Sequence, residues 1–440
     1  MVLYLILLVA SVFLGTELLA LPTPAFQLTL YRVLALSVLP LLLIALSRKD
    51  TKLQMSRNSV ASFAVLTYLV WYIWAWVSGM WALDMTGWMQ NIFLMTIGVA
   101  SLSAIYFWTH DESTWYKLVK TAWWMMTLLA LWGLYEIISN NYFLADLGKL
   151  DKYRTFSSQP WTRIPITHFT NQNDYATMLL AYLPLSFILY YKESHGFKRT
   201  FYFLAAFVGL FLIYRTGSRM SLLAGLLYFF LVFLFRFQAD ITRSTIYKLS
   251  AVGILLAVLA VLFVPPVQSV LNQLIYTNST DLLTGDMGRV NLMRNGLYFL
   301  GASLGFGVGA GNIEYWMEHF RFLPTQNIVN MHSWWGEILV GYGVIIFSLY
   351  VVMYALLIYR LAVMKYRVEV RERRIIEHLS AFLIIYILAS MTSANNMFIE
   401  WHWVFFGIII SFIKLLEQKY LLNHTNYNYK GENHELNNRI

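Results

Sequence analysis

Residues 332–359 read HSWWGEILVGYGVIIFSLYVVMYALLIY. From Trp335 to Tyr359 only Glu337 carries a charge. A helix crosses the hydrocarbon core of a bilayer with about 20 apolar residues. This stretch therefore predicts a transmembrane helix, with His332 and Ser333 at its mouth.

The same pattern recurs along the 440 residues. Apolar runs at Val2–Ala20, Gln27–Leu46, Ser59–Leu83, Trp88–Trp108, Thr121–Ser139, Asp174–Tyr191, Thr200–Tyr214, Met220–Phe235, Leu249–Val264, Trp335–Tyr359, Leu379–Ala394 and Trp401–Leu416 predict about twelve spans. The chain reads as an all-α polytopic membrane protein. Its composition agrees: 59% of residues are apolar and 12% charged, about half the globular norm. That excludes a disordered chain and argues against a soluble enzyme. The 16 Trp and 29 Tyr suit long membrane–water boundaries. The N-terminal run lacks a leading positive charge and a cleavage pattern, so it reads as a first span, not a signal peptide. There is no Cys, which excludes disulfides, thiol catalysis and Cys-ligated metals.

Basic residues set the orientation, because cytoplasmic loops collect Lys and Arg. With the N-terminus inside, 22 of the 32 Lys and Arg fall in segments at 47–58, 109–120, 192–199, 236–248, 360–378 and the tail from Lys414. Both termini are then cytoplasmic, the net charge of +9 is largely topology, and nucleic acid drops out as a partner. The remaining basic residues lie outside and become candidates for function. Helices 1–9 occupy 1–264 with an outer loop at 140–172. A large extracytoplasmic loop spans 265–333, between the ninth and tenth spans. Helices 10–12 follow at 334–416, then a tail at 417–440 that reads as disordered.

Four constellations lie on the outer side. In Arg215-Thr-Gly-Ser-Arg219 a helix would put both arginines on one face. A guanidinium grips phosphate oxygens bidentately, or it snorkels to lipid headgroups. Met287-Gly-Arg289-Val-Asn-Leu-Met-Arg294 precedes Gly305-Phe-Gly-Val-Gly-Ala-Gly311. No strand precedes these glycines, so they read as a bend with close backbone approach, not a dinucleotide loop. His332 could act as a general base or merely hydrogen-bond at the interface. As helix positions, His332 and Gly343 would share a face. Trp316, Trp334 and Trp335 read as belt aromatics in preference to sugar-stacking platforms. Arg163 precedes Phe169-Thr-Asn171-Gln-Asn173-Asp-Tyr-Ala, where either Asn could cap the next helix or read a hydroxyl. No Asp-x-Asp pair and no convincing metal spacing occurs in the sequence.

Taken in order, these motifs resemble the O-antigen ligase and Wzy-type polymerase superfamily. His332-Ser333 followed nine residues later by Gly343 is similar to its histidine signature. Arg215 to Arg219 resembles its Thr-x-Ser-Arg-Gly hairpin, with Met220 in place of the usual Gly. Phe169 to Ala176 resembles its Phe-x-Asn-Pro-Asn segment, with Gln172 in place of Pro. The histidine segment also looks like Gram-positive members that make teichuronic acid or exopolysaccharide. The resemblance implies a GT-C-like glycosyltransferase in the bacterial cytoplasmic membrane, active on its outer side. It would move a glycan from undecaprenyl diphosphate to an acceptor glycan hydroxyl without metal or cofactor. Its other partners would be membrane lipid and polysaccharide-assembly proteins. His332 would be the base, with Arg219 and Arg289 stabilising the departing diphosphate. Arg215, Arg294, Arg163, Asn171, Asn173, Ser333 and Trp335 would contact substrate. Polymerisation is preferred over ligation to another lipid or protein acceptor. A lipid-linked-sugar transporter is the alternative from another class, but no repeated halves are visible.

Overall fold

The computed structural model describes residues 1–15, 20–22, 27–48, 55–237, 285–325, 327–391, 397 and 399–422. Half of the helices described begin where a short polar side chain replaces a missing backbone partner. Helix α1 (Val2–Ser11) continues as a tight turn to Leu14 and stops at Gly15, whose φ is +70°. A short antiparallel hairpin follows, β1 (Ala20–Pro22) against β2 (Gln27–Thr29), with Ala20 opposite Thr29. Thr29 caps α2 (Leu30–Ser47), Ser59 caps α3 (Val60–Val77), Asp84 caps α4 (Met85–Trp108) and Asp111 caps α5 (Glu112–Ser139). Asn140 ends α5 in the left-handed conformation. The one-turn α6 (Leu147–Leu150) lies in the next loop. Asn171 then caps α7 (Gln172–Lys192), and the hairpin α8 (Gly196–Arg215) and α9 (Arg219–Phe237) follows. The remaining helices are α10 (Gly285–Ala302), α11 (Ile313–His319), α12 (Trp334–Met364), α13 (Val370–Ala389) and α14 (Trp401–Glu417).

Among the described residues seven helices are long and apolar enough to cross a membrane: α2, α3, α4, α5, α8, α9 and α12. The other five expected runs differ for separate reasons. Helix α1 is cut short at Gly15, where a Cβ would stand 2.2 Å from the His168 ring. Helices α7, α13 and α14 are sheathed by other helices and carry polar groups that their neighbours satisfy; Trp123 Nε1, for example, donates to Ser186 Oγ of α7 at 2.8 Å. Helix α13 begins at Val370, well before the expected Leu379, because Glu369 and Glu372 form a capping box inside the basic segment. The run Leu249–Val264 lies outside the described residues, as do most of 236–248, 265–284 and the Asn-rich tail.

The polar locks sort the turns onto two ends of the bundle. At one end the buried Glu417 carboxylate accepts from Ser59 Oγ and Val60 N and pairs with Arg360 at 2.9 Å. Lys365 donates to the Phe235 carbonyl and pairs with Glu377 at that end. At the other end Arg32 pairs with Glu400 at 2.6 Å. That second end, the motif end, carries all four sequence constellations.

Candidate active site

Helix α12 is broken near its start. Gly343 has φ 84° and ψ 176°, outside helical values. The helix begins only at Trp334, with the Ser333 hydroxyl accepting from Gly336 N at 3.2 Å, and His332 turns the chain with φ +47°. The expected stacking of His332 over Gly343 on one helical face is therefore corrected: His332 precedes the helix, and the regular spacing ends at the break.

The glycine loop fills the break. Val308 N donates to the Val340 carbonyl at 2.9 Å, Gly309 N to Gly341 at 3.0 Å, and Val344 N to Gly305 at 2.9 Å. These bonds replace helical ones that Gly343 interrupts. On its far side the loop is tied to the turn between α3 and α4. Trp81 Nε1 donates to the Gly307 carbonyl at 2.9 Å, and Ala310 N to Ser78 Oγ at 3.0 Å. The fully buried Asn312 amide accepts from Leu83 N and Asp84 N and donates to the Asp84 carbonyl. The sequence reading of a bend with close backbone approach describes this loop.

The arginines divide into two kinds. Arg163 is committed to backbone: its Nε donates to the Phe156 carbonyl at 2.9 Å, and Nη1 to Ile137 and Ile138 at 2.9 and 3.0 Å. It thereby closes the last turn of α5. Arg215, the last residue of α8, donates to the carbonyls of Pro160 and Arg163 at 3.0 and 3.1 Å. From the other side the buried Glu136 carboxylate accepts from Ile166 N and Thr167 N. The loop 140–171 is thus clamped between α5 and α8. No local spacing in the sequence marks Glu136 as this anchor. By contrast Arg219, at the first position of α9, and Arg289, in the first turns of α10, are exposed. Arg294 is half-buried.

Helix α10 is held near His332 by two devices. Asn295 accepts from Phe322 N and Leu323 N and donates to the Leu323 carbonyl, while Asn291 donates to Pro324. Leu292 and Phe299 pack with Val308, Met317, Met331 and Val340 in a small apolar cluster of their own. Met331 immediately precedes His332, so the helix bearing Arg289 and Arg294 and the histidine turn share one core.

The other expected contacts are engaged within the protein. Asn171 Oδ1 accepts from Asn173 N at 2.8 Å as the α7 cap, and the Asn173 carbonyl accepts from Thr177. Trp335 Nε1 donates to Ser390 Oγ at 3.1 Å, and its ring meets Tyr350 and Tyr354 edge-on. Trp334 is neither belt nor platform. It is buried against Trp71, His402 and Trp403, and its N–H donates to the Tyr350 hydroxyl. Beside the break lies a polar cavity whose wall includes Asp84, Asn91, Glu314, Asn330, Glu337 and Tyr342. Of the residues singled out in the sequence only Gly311 and Glu337 line it, and none of the expected catalytic or substrate-contacting residues does. Its polar residues come from separate turns and share the wall with Ile313, Met331 and Met397, and no local spacing marks them.

Residues 201–351 match the family model described as O-antigen ligase. The chain is also 29% identical over 427 residues to the teichuronic acid biosynthesis protein TuaE of Bacillus subtilis, covering 94% of this chain and 84% of that one. The matched segment takes in Arg215, Arg219, Arg289, Arg294 and His332, so the motif resemblance and the whole-segment comparison coincide. Over residues 201–351 the chain is thus similar to the O-antigen ligase family, and over most of its length it is similar to a teichuronic acid biosynthesis protein.

Proposed function

We propose that this chain is a metal-independent membrane glycosyltransferase that polymerises undecaprenyl-diphosphate-linked repeat units of a surface polysaccharide. The observation that carries the reading is the O-antigen ligase match over 201–351, which encloses the exposed Arg219 and Arg289 and the turn at His332. The motif end faces outward in this reading and both termini are cytoplasmic. That agrees with the basic residues gathered at the opposite end of the bundle.

The chemistry follows from the residue types. The acceptor hydroxyl oxygen bonds to the donor's anomeric carbon and gives its proton to His332. The bond from that carbon to the diphosphate oxygen breaks, and the electron pair leaves on the diphosphate. Arg219 and Arg289 stabilise this charge as it develops. Direct displacement inverts the anomeric centre. Arg163 and Arg215 position the loop over the site through the carbonyls they hold, and Arg294, Asn171, Asn173, Ser333 and Trp335 frame its edges.

The name of the family model favours a second reading, a ligase that delivers glycan to a different acceptor. Purified protein given lipid-linked donor alone separates the two. A ladder of lengthening products supports polymerisation. Turnover only when another acceptor is added establishes ligation, and no glycan transfer under either condition removes both.

A further inference from the structure

The cavity beside the helix break has a volume of about 160 Å³. Its polar residues come from four elements. Asp84 and Asn91 come from the start of α4, Glu314 from α11, Asn330 from the turn before His332, and Glu337 and Tyr342 from the broken part of α12. Among the described residues its wall contains no Lys, Arg or His. Three carboxylates therefore set its charge, which repels a diphosphate and leaves that group to Arg219 and Arg289. Among the described residues no group of His, Asp and Glu is arranged to hold a metal ion.

The polar atoms suit hydroxyls. A carboxylate accepts strong, charge-assisted hydrogen bonds from O–H donors. The Tyr342 hydroxyl donates to Asn91 Oδ1 at 2.7 Å, which leaves the Asn91 amide N–H groups as donors. Asn330 Oδ1 is buried without a protein partner. Asn330 lines the wall as a half-buried side chain whose amide keeps hydrogen-bonding capacity for a ligand. Backbone of Gly311 and Gly341 completes the wall. Non-helical backbone at such a place is tolerated in a membrane protein where it lines a polar cavity. The volume is of the order that takes a single six-membered ring. The wall runs up to Met331, next to His332.

We infer that this cavity binds one uncharged sugar ring of the acceptor glycan, selecting it over a uronate by hydroxyl contacts to Asp84, Glu314, Glu337 and Asn330. The inference rests on the glycosyltransferase reading above for the word acceptor, and on the cavity alone for the sugar.

Saturation-transfer NMR on the full chain in nanodiscs tests it, with the methyl glycosides of glucose, N-acetylglucosamine and glucuronic acid as probes. Wild-type protein is expected to bind at least one neutral glycoside about tenfold more tightly than the glucuronide, the scale of one charge-dependent contact. Asn330→Ala weakens the neutral glycoside several-fold, and Glu337→Gln narrows the gap to the glucuronide. Asn330→Ala removes no protein hydrogen bond to Oδ1, so it keeps the test open if Glu337→Gln misfolds. Glucuronide binding as tight as the neutral probes overturns the inference, as does neutral binding unchanged by Asn330→Ala or absent from wild type. Binding requires no turnover. A protein that binds neutral rings but transfers no glycan sinks the catalytic reading and leaves the cavity, whereas an active protein that binds none sinks the cavity alone.

Discussion

Gly307 and Gly343 meet backbone to backbone. A Cβ on Gly307 would stand 2.5 Å from the Gly343 nitrogen, and one on Gly343 would stand 2.4 Å from the Gly305 carbonyl oxygen. Both glycines have φ near +85°. The contact joins the loop before the histidine to the first third of α12, and so fixes where the His332 turn sits.

Gly343→Ala is expected to be among the most damaging single changes in the chain. Its φ and ψ fall in a region that is almost glycine-only, which costs about 1–3 kcal/mol before the clash is counted. Thermal unfolding in detergent should show a clearly lowered midpoint for Gly343→Ala. Gly301→Ala, where nothing lies within 4 Å of the added Cβ, should stay close to wild type. Equal midpoints for the two variants would contradict the close approach.

Arg163 holds three carbonyls with a fork that lysine cannot reproduce. Both Arg163→Ala and Arg163→Lys should loosen loop 140–171, with a local cost of about 2 kcal/mol. Limited proteolysis reads this directly: cleavage in the loop should accelerate in both variants while the helices remain protected. Rescue by Lys would mean that charge matters there more than geometry.

His168 gives the loop a pH dependence. Its ring packs against Phe169 and Trp132, and burial pushes its imidazole down to about 4. The folded chain therefore keeps it neutral, while the unfolded chain takes up a proton below about 6.5. Its contribution to stability is complete above that value and shrinks as pH falls from about 6.5 to 4. Melting midpoints measured across this window should fall with acid in wild type. His168→Gln should flatten that limb, and an unchanged slope would remove His168 from the account.

The reaction scheme assigns the largest losses to two residues. His332→Ala should reduce turnover of lipid-linked donor by about 10²- to 10⁴-fold, the range of a lost general base. Arg219→Ala should cost about 10²- to 10³-fold, with Arg219→Lys recovering only part because it offers no bidentate grip. Undiminished turnover in both His332→Ala and Arg219→Ala would sink these roles.

Much of this molecule is legible in its amino-acid order. Apolar runs of membrane length, the Lys and Arg bias of alternate loops, and a cap such as Asn171 are local features. Each depends on residues within a few positions, so sequence reading reaches them. The glycines from Gly305 to Gly311 were legible as a close approach because no other residue tolerates such backbone angles. Where a run differed, the cause was a distant partner in one case, His168 against Gly15, and in another a local capping box of Glu369 and Glu372 hidden inside a segment that looks like a basic loop.

The site shows the same division. Sequence by itself determined that Arg163, Arg215, Arg219, Arg289 and His332 occur near the ends of apolar runs and away from the loops richest in Lys and Arg, since charge bias and spacing are properties of the chain. It could not determine which arginines are free to meet an anion. That depends on carbonyls presented by other elements: Arg163 and Arg215 spend their donors on the 137–163 backbone, while Arg219 and Arg289 stand exposed. Nor could it assemble Asp84, Asn91, Glu314, Asn330, Glu337 and Tyr342 into one wall. Those residues become neighbours only because α12 breaks at Gly343 and admits the glycine loop. Hydrogen bonding through space, which no local pattern encodes, decides that arrangement.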